Sequence, residues 1–322
     1  REALGLLMPV DVIVQDPLIA KQDPELGLGE LNFDCEPDLM AGPTSARIAV
    51  VDYDGDRNRL EDPVQWDRRG RKFYFRRGGR KTYVTHDHAE TPQFHQVNVW
   101  AIVQSVLRMY EETWILGRSA PWAFAGNRLT VVPHAGYLPN AFYSRGSKSL
   151  QFYYFGPETN RVYTCLSHDI VAHETGHAVL DGLRPLYFED SSLQTTAFHE
   201  FVADITAIMS SLLKRELRWK AVEDKAKDLS DYNLINALAA EFGEYATGRP
   251  HLRSALSKNT VDSIKNSTSP YEWSLVLTGA MWEILSAMFT YYRLRPQKSG
   301  KLPSSKQAIH WATDRFRRVA FQ

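Results

Sequence analysis

The segment HETGH, residues 173–177, combines two imidazoles and a carboxylate at a spacing that suits metal chemistry. Residues four apart on a helix lie on one face, about 5–6 Å apart at Cβ, so His173 and His177 can direct two nitrogens at one zinc ion. Glu174 is about 100° of helix rotation from His173, where its carboxylate can flank a water held at the ion as a general base. Because H-E-x-x-H arises by chance in roughly 1% of chains of this length, a third ligand must decide between a metal centre and coincidence.

The third ligand is expected beyond His177, since catalytic zinc usually takes three protein ligands and leaves one position open. An H-E-x-x-H-x-x-G-x-x-H extension would need Gly at 180 and His at 183, but Leu180 and Leu183 stand there. The segment AFHEFVADITAI supplies Glu200, 23 residues after His177, and Asp204 four residues later on the same helix face. We expect Glu200 to bind the metal and Asp204 to accept the free N–H of a ligand histidine. The alternative is that both carboxylates lie on the solvated face of an amphipathic helix.

Two further carboxylates lie on the same face of the HETGH helix as His173 and His177. Asp169 lies four residues before His173, and Asp181 lies four residues after His177. A carboxylate in such a position can hold the second nitrogen of an imidazole and fix its tautomer. The alternative is that both are helix-end charges, favourable for Asp169 at the N-terminus and slightly unfavourable for Asp181 near the C-terminus.

Apolar periodicity predicts the elements that must position these side chains. The HETGH helix is expected from residue 167 to residue 183, stopped by Gly182 and Pro185. Other helices are predicted over residues 97–114, 195–214, 231–246, 271–293 and 305–322. Strands are predicted in ARIAVVDY, on both sides of the Gly78-Gly79 turn, and in NRLTVVPHAG and KSLQFYYFG.

The distribution of these elements predicts an α+β fold with two lobes. Residues 1–183 form a β-rich N-terminal part that ends in the HETGH helix, and residues 184–322 form a mainly helical part. The acidic segment DYDGD, residues 52–56, is predicted to be a turn. Its alternative, calcium binding, lacks the EF-hand spacing because Gly55 is fourth and Pro63 twelfth in the would-be loop.

Composition excludes several classes of function. Lys+Arg and Asp+Glu both number 38, so the chain lacks the basic excess of a nucleic-acid-binding protein. No apolar run approaches the roughly 18–20 residues needed to span a bilayer, and the first residues lack a signal-peptide layout. Cys35 and Cys165 are the only cysteines, too few for a disulfide framework or a cysteine-based metal site. A single disulfide and two free thiols both stay open, and nothing indicates the oligomeric state.

Three ordered segments resemble the thermolysin-like gluzincin zinc metallopeptidases. SHDIVAHETGHAVLDG resembles the zinc helix of that family, including its D-x-V-A-H-E pattern, and LYFEDSSLQTTAFHEFVADITAIMSSL resembles the segment with its Glu ligand. LPNAFYSRGSKSLQFYYFG is similar to the family's N-A-F-[WY] edge strand, which holds substrate backbone. The resemblance covers residues 93–293, weakly over 215–270, and residues 1–90 have no place in it. It implies a two-lobed fold with the active-site cleft between the lobes.

The resemblance also implies roles for individual residues. It makes Glu174 the general base, Asp204 the residue that orients His173, and Asn140 and Ala141 the residues that bind substrate main chain. The ligands of one Zn²⁺ per chain would be His173, His177 and Glu200. The calcium-binding carboxylates of the family have no counterparts here apart from Asp169, so calcium is unsupported.

The oxyanion side of the family's site matches less well. Tyr187, ten residues after His177, lies one residue short of the spacing of the family's oxyanion-stabilising tyrosine. The alternative role for Tyr187 is that of an aromatic side chain that only packs against its neighbours. Where the family has a catalytic histidine, SPYEWSLVLTGAMWEIL offers Tyr271. A phenol can donate a hydrogen bond to an oxyanion but cannot act as an imidazolium. Either Tyr271 takes that role, or His251 or another residue does, or the activity differs.

The expected function is therefore a zinc endopeptidase acting on peptides or proteins, and the resemblance favours secretion. One alternative is a gluzincin aminopeptidase, although GAMWE at Gly279 matches the required G-x-M-E-N motif only superficially and follows the zinc motif instead of preceding it. The other is an inactive zinc-binding scaffold on a protease fold, suggested by the missing histidine.

Overall fold

The computed structural model describes residues 7–189, 192–222, 229, 235, 237–248 and 251–321. In these residues the chain is a mixed α+β protein with several small sheets, so the predicted fold class is confirmed at that level. The strands are β1 Leu7–Ile13, β2 Leu28–Asp34, β3 Ile48–Val50, β4 Tyr53–Asp54, β5 Arg59–Leu60, β6 Gln65–Asp67, β7 Lys72–Arg77, β8 Arg80–Tyr83, β9 Leu129–Val132, β10 Ala141–Ser144, β11 Ser149–Phe152, β12 Tyr154–Phe155, β13 Val162–Tyr163, β14 Ala237–Leu238 and β15 Arg253–Ser254.

Most of the long helices follow the strand-rich part of the chain. The helices are α1 Pro17–Gln22, α2 Pro24–Gly27, α3 Pro92–Glu111, α4 His168–Leu183, α5 Leu193–Leu212, α6 Arg215–Lys220, α7 Ala240–Thr247, α8 Val261–Ile264, α9 Pro270–Leu294 and α10 Ser305–Ala320. Short 3-10 turns at Thr164–Leu166 and Pro185–Phe188 flank α4. The predicted helices around residues 97–114, 167–183, 195–214, 271–293 and 305–322 are thus confirmed, with shifted ends.

The sheets are small, and one of them borders α4. Its four strands lie in the order β10-β11-β9-β3, with β10 antiparallel to β11 and the other pairs parallel, so β10 is an edge strand. β6, β7 and β8 form an antiparallel meander. Both residues of the predicted Gly78-Gly79 turn have positive φ, which suits the tight β7–β8 hairpin.

Helix α3 joins these sheets through its apolar face. The Trp100 ring meets Phe33 of β2 and Phe73 of β7 edge-on, with ring centroids 5.3 and 5.5 Å apart. The Asn98 side chain accepts from the Ile13 backbone N–H (2.8 Å) and donates to the Cys165 carbonyl (3.1 Å). The first strand and the approach to α4 are therefore both fixed to α3.

Helix α4 is buried over most of its length, between α3, α5 and β10. Gly176 permits the close approach of α5, because a Cβ there would lie 2.8 Å from Thr206 Oγ1 and 3.0 Å from the Ala203 Cα. This approach brings the α5 carboxylates to the histidines of α4. The helix ends before Pro185, whose ring disfavours helical backbone in the residue that precedes it.

One predicted helix differs from the structure. The described part of residues 231–246 contains β14, and α7 begins only at Ala240. Ala239 has a left-handed φ of 54°, which breaks a helix, and Leu238 pairs with Arg253 of β15. A distant strand therefore overrides the local helical pattern. Residues 231–234 and 236 lie outside the described residues.

The acidic segment 52–56 covers β4 and the start of the turn at residues 55–58, where Asp54 Oδ1 accepts the backbone N–H groups of Asp56 and Arg57 at 3.1 Å each. Cys35 and Cys165 are free thiols. Among the described residues one helix, α9, is long and apolar enough to cross a membrane by length and composition, which alone is weak evidence. α9 also packs against α5 and α10.

Gly182→Ala is expected to destabilise the protein by about 2–3 kcal/mol, since a Cβ there would lie 1.8 Å from the carbonyl oxygen of Pro121. The contact is with backbone, which cannot move aside as a flexible side chain would. The free energy of unfolding in urea measures the loss. The control is Gly146→Ala, where a Cβ meets only Ser144 Oγ at 4.0 Å. Equal stabilities of the two variants would contradict the prediction.

Candidate metal centre and cleft

The structure brings the predicted ligands together on facing sides of α4 and α5. His173 Nε2 and His177 Nε2 lie 3.2 Å apart. Glu200 places Oε2 at 3.5 Å from His173 Nε2 and Oε1 at 3.6 Å from His177 Nε2. Zinc with bonds of 2.0–2.1 Å and tetrahedral angles keeps its ligand atoms about 3.3 Å apart, so this triangle of donor atoms has the size of a zinc site. His173, Glu174 and His177 also form a buried group that could hold a metal ion.

The outer nitrogen of each imidazole faces a partner. His173 Nδ1 lies 3.0 Å from Asp204 Oδ1, the position predicted for Asp204. His177 Nδ1 lies 2.8 Å from the Nδ1 atom of His199, whose ring stacks on His177. Both contacts leave the Nε2 atoms turned toward Glu200, as metal ligands require. His199 was not predicted, because it has no helical spacing to the motif.

The surroundings shift the pKa values of the two imidazoles in opposite directions. Burial and the Arg253 guanidinium lower the pKa of His173, but the carboxylates of Asp204 and Glu200 outweigh them and raise it to about 9. Burial lowers the pKa of His177 well below its usual value, although Glu200 opposes this. A proton on His173 therefore supplies positive charge in the place where a metal ion would.

Glu174 is buried beside this triangle and held by the edge strand. Its Oε2 accepts the backbone N–H of Tyr143 at 3.0 Å. Burial raises the pKa of the Glu174 carboxyl to about 7, in the range that suits a general base near neutral pH. The α4 helix thus presents two imidazole nitrogens and a buried carboxylate to one cleft.

Arg253 of β15 is the main residue that sequence reasoning missed. Its Nη1 lies 2.8 Å from Glu200 Oε2 and 3.1 Å from Asp204 Oδ1, and its Nη2 lies 3.3 Å from His173 Nε2. The guanidinium also faces the Tyr271 ring at 5.3 Å. A cation with several N–H donors therefore borders the donor triangle.

The edge strand β10 lies beside α4, with the predicted residues Asn140 and Ala141 at its start. The backbone N–H groups of Ala141 and Tyr143 both bond outside the sheet, to Asn140 Oδ1 and to Glu174. Because alternate residues of an edge strand face outward together, the Ala141 carbonyl also points away from β11. The Ala141 carbonyl is therefore a backbone acceptor that the pairing with β11 does not use.

Asp181 anchors the edge strand and does not hold a ligand histidine. Its buried carboxylate accepts from the Tyr143 hydroxyl at 2.8 Å and from Arg145 Nε at 2.9 Å. Asp169 likewise makes no contact with the metal-facing histidines and accepts from the Ser211 hydroxyl at 3.0 Å. Asp181 therefore neither fixes the tautomer of a ligand histidine nor lies exposed at a helix end, the two roles predicted for it. Its hydrogen bonds connect α4 to β10 and the residue that follows it.

An open cleft of about 710 Å³ contains the donor triangle and both predicted tyrosines. Tyr187 lies in the turn after α4 with its ring edge against Phe198, and Tyr271 lies at the start of α9; both are about half exposed. His251 is not among the residues that line this cleft, whereas Arg253 is. The cleft is lined by Asn140, Ala141, Phe142, Tyr143, His173, Glu174, His177, Tyr187, Phe188, Thr196, His199, Glu200, Phe242, Leu252, Arg253 and Tyr271.

Comparison with known proteins assigns no family to the chain. No family model matches it, and no curated protein matches its sequence.

Proposed function

We propose that the chain is a zinc-dependent peptidase of the thermolysin-like, two-lobed type. The observation that carries the proposal is the triangle of His173, His177 and Glu200, whose donor atoms lie 3.2–3.6 Å apart. Supporting it, the outer nitrogen of His173 faces a carboxylate, and Glu174 lies beside the triangle without being part of it. In a hydrolytic metal site the metal ligands and the general base are likewise separate side chains.

In this proposal, zinc when bound supplies a Lewis acid and lowers the pKa of a water molecule in the cleft. Glu174 takes the proton of the attacking water and passes it to the leaving amine, while the Tyr143 N–H holds its carboxylate in place. Tyr187, Tyr271 and Arg253 line the same cleft and can donate hydrogen bonds to the negative charge that develops on the carbonyl oxygen.

The substrate is expected to be a peptide in extended conformation. The outward-facing part of β10 offers the Ala141 carbonyl to a substrate N–H, so the peptide would add a strand to the sheet edge. A smaller cavity of about 70 Å³ shares lining residues with the cleft and carries apolar side chains. These are Ile170, Leu238, Phe242 and Leu252, and they favour an apolar substrate side chain next to the cleaved bond.

The test is hydrolysis of an N-terminally blocked peptide with an internal leucine, together with the zinc content of the purified chain. Internal cleavage that a chelator abolishes and zinc restores supports the endopeptidase. Cleavage of unblocked peptides alone would assign an aminopeptidase instead. Bound zinc with no hydrolysis in a peptide library would overturn the proposal in favour of a scaffold.

Asp204→Asn is expected to weaken zinc affinity at the HETGH site about 10–100-fold, since the contact with His173 Nδ1 loses its negative charge. Competition with a chromophoric chelator measures the change. Asp314→Asn is the matched control, because that carboxylate is partly exposed on α10 and pairs with Arg317 and Arg318. An unchanged affinity in Asp204→Asn would show that this carboxylate does not orient the ligand.

A further inference from the structure

A second cluster of metal-ligating side chains lies outside the cleft, on other elements. His95 of α3, His134 after β9 and Cys165 in the turn before α4 are all buried, and their ligand atoms lie within 4.8 Å of one another. We call them the His95–His134–Cys165 cluster. The expectation that two cysteines exclude a cysteine-based metal site overlooked such a mixed set, because the three residues lie far apart along the chain.

The hydrogen bonds around the two rings determine where their lone pairs point. His95 Nε2 lies 2.9 Å from the Ala89 carbonyl oxygen, which can only accept, so this nitrogen carries the proton. His134 Nδ1 lies 2.7 Å from Asp52 Oδ1, and it donates to that carboxylate. The second nitrogen of each ring, His95 Nδ1 or His134 Nε2, then has its lone pair free unless it binds a proton.

These two lone pairs face each other at 2.8 Å. Two lone pairs at that distance repel unless a proton or a cation lies between them. The arrangement therefore calls for positive charge between the rings, next to the Cys165 sulfur.

The surroundings suit a divalent ion. Asp52 is itself held by Gln96 Nε2 at 2.7 Å, so both rings are oriented by partners on their outer nitrogens, as in protein zinc sites. A bound metal would deprotonate the Cys165 thiol. The thiolate of Cys165 and the carboxylate of Asp52 would together balance the two charges of the ion, which lowers the cost of burying it.

We propose that His95, His134 and Cys165 bind a second Zn²⁺ ion with a structural role. Binding needs the two ring nitrogens to separate from 2.8 Å to about 3.3 Å, with zinc–sulfur contact at about 2.3 Å. The ion would fix α3, the segment after β9 and the turn that leads into α4. Because α4 carries HETGH, the second ion would support the cleft without taking part in its chemistry.

Cobalt substitution separates this site from the one in the cleft, since only the second site has a sulfur ligand. We expect Co²⁺-loaded protein to show a thiolate-to-cobalt charge-transfer band in the near ultraviolet. The band should be absent in Cys165→Ser and present in Cys35→Ser, which removes the other free thiol. It should also persist in His177→Ala, so failure of the proposed peptidase function would leave this result unaffected.

X-ray absorption at the zinc edge tests the same site without any variant. We expect two zinc ions per chain and a sulfur shell at about 2.3 Å that corresponds to one sulfur for two ions. A single zinc ion with no sulfur shell would overturn the proposal, and so would a cobalt band that survives in Cys165→Ser.

Discussion

Glu174→Gln is expected to lower kcat/KM for peptide hydrolysis about 10³-fold and to leave zinc bound. The amide has nearly the shape of the carboxylate but cannot take a proton from water, and general-base catalysis contributes about 10²–10⁴-fold. Zinc stays because the donor triangle of His173, His177 and Glu200 does not include Glu174. Parallel measurement of steady-state hydrolysis and zinc content checks both parts.

The control for this variant is Glu158→Gln, which makes the same change in an exposed turn. It should hydrolyse the peptide as the unchanged chain does. Activity of Glu174→Gln within threefold of the unchanged chain would refute the general-base assignment. A loss of zinc in Glu174→Gln would instead show that this carboxylate is a ligand.

Much of the donor triangle could be predicted from the sequence because helical geometry fixes it. The four-residue spacing of His173 and His177 puts both on one face of α4, and the same spacing relates Glu200 to Asp204 on α5. What the spacing leaves open is whether the two helices face each other. The lack of a Cβ at Gly176 permits the close approach of α5, a contact that the helical spacing alone does not predict.

The residues that were missed come from tertiary structure without a periodic pattern. Arg253 reaches the donor triangle from a two-residue strand, and its partner strand lies in a segment predicted to be helical. The backbone N–H of Tyr143 has no sequence signature at all. His95 and His134 belong to one cluster only because α3 packs beside the segment that follows β9. Pairings of this kind depend on the fold as a whole.

Arg253 is a candidate for the role that the family resemblance gives to a catalytic histidine and that the sequence left open between Tyr271, His251 and another residue. Tyr187 and Tyr271 can donate a hydrogen bond but remain neutral, whereas the guanidinium is charged and has several N–H groups. Without metal, Arg253 Nη2 lies 3.3 Å from His173 Nε2. Because Arg253 lines the cleft beside this nitrogen, its guanidinium can donate to a substrate carbonyl held at the donor triangle. The guanidinium of Arg253 is always charged, so it can stabilise an oxyanion at pH values at which a histidine would first have to be protonated.

Arg253→Ala is therefore expected to lower kcat/KM by about 10²–10³-fold, the usual effect of removing a donor to a developing oxyanion. Zinc affinity should stay the same or rise, because the variant removes a positive charge near the cation and leaves Glu200 and Asp204 in place. Hydrolysis kinetics with chelator competition measure both, and Arg295→Ala, exposed at the end of α9, is the control.

A smaller loss of kcat/KM in Arg253→Ala than in Tyr271→Phe would assign the stabilisation of the oxyanion to the phenol of Tyr271. A loss of zinc would mean that Arg253 acts by holding Glu200, since the guanidinium would then be needed to position the ligand and not to bind substrate.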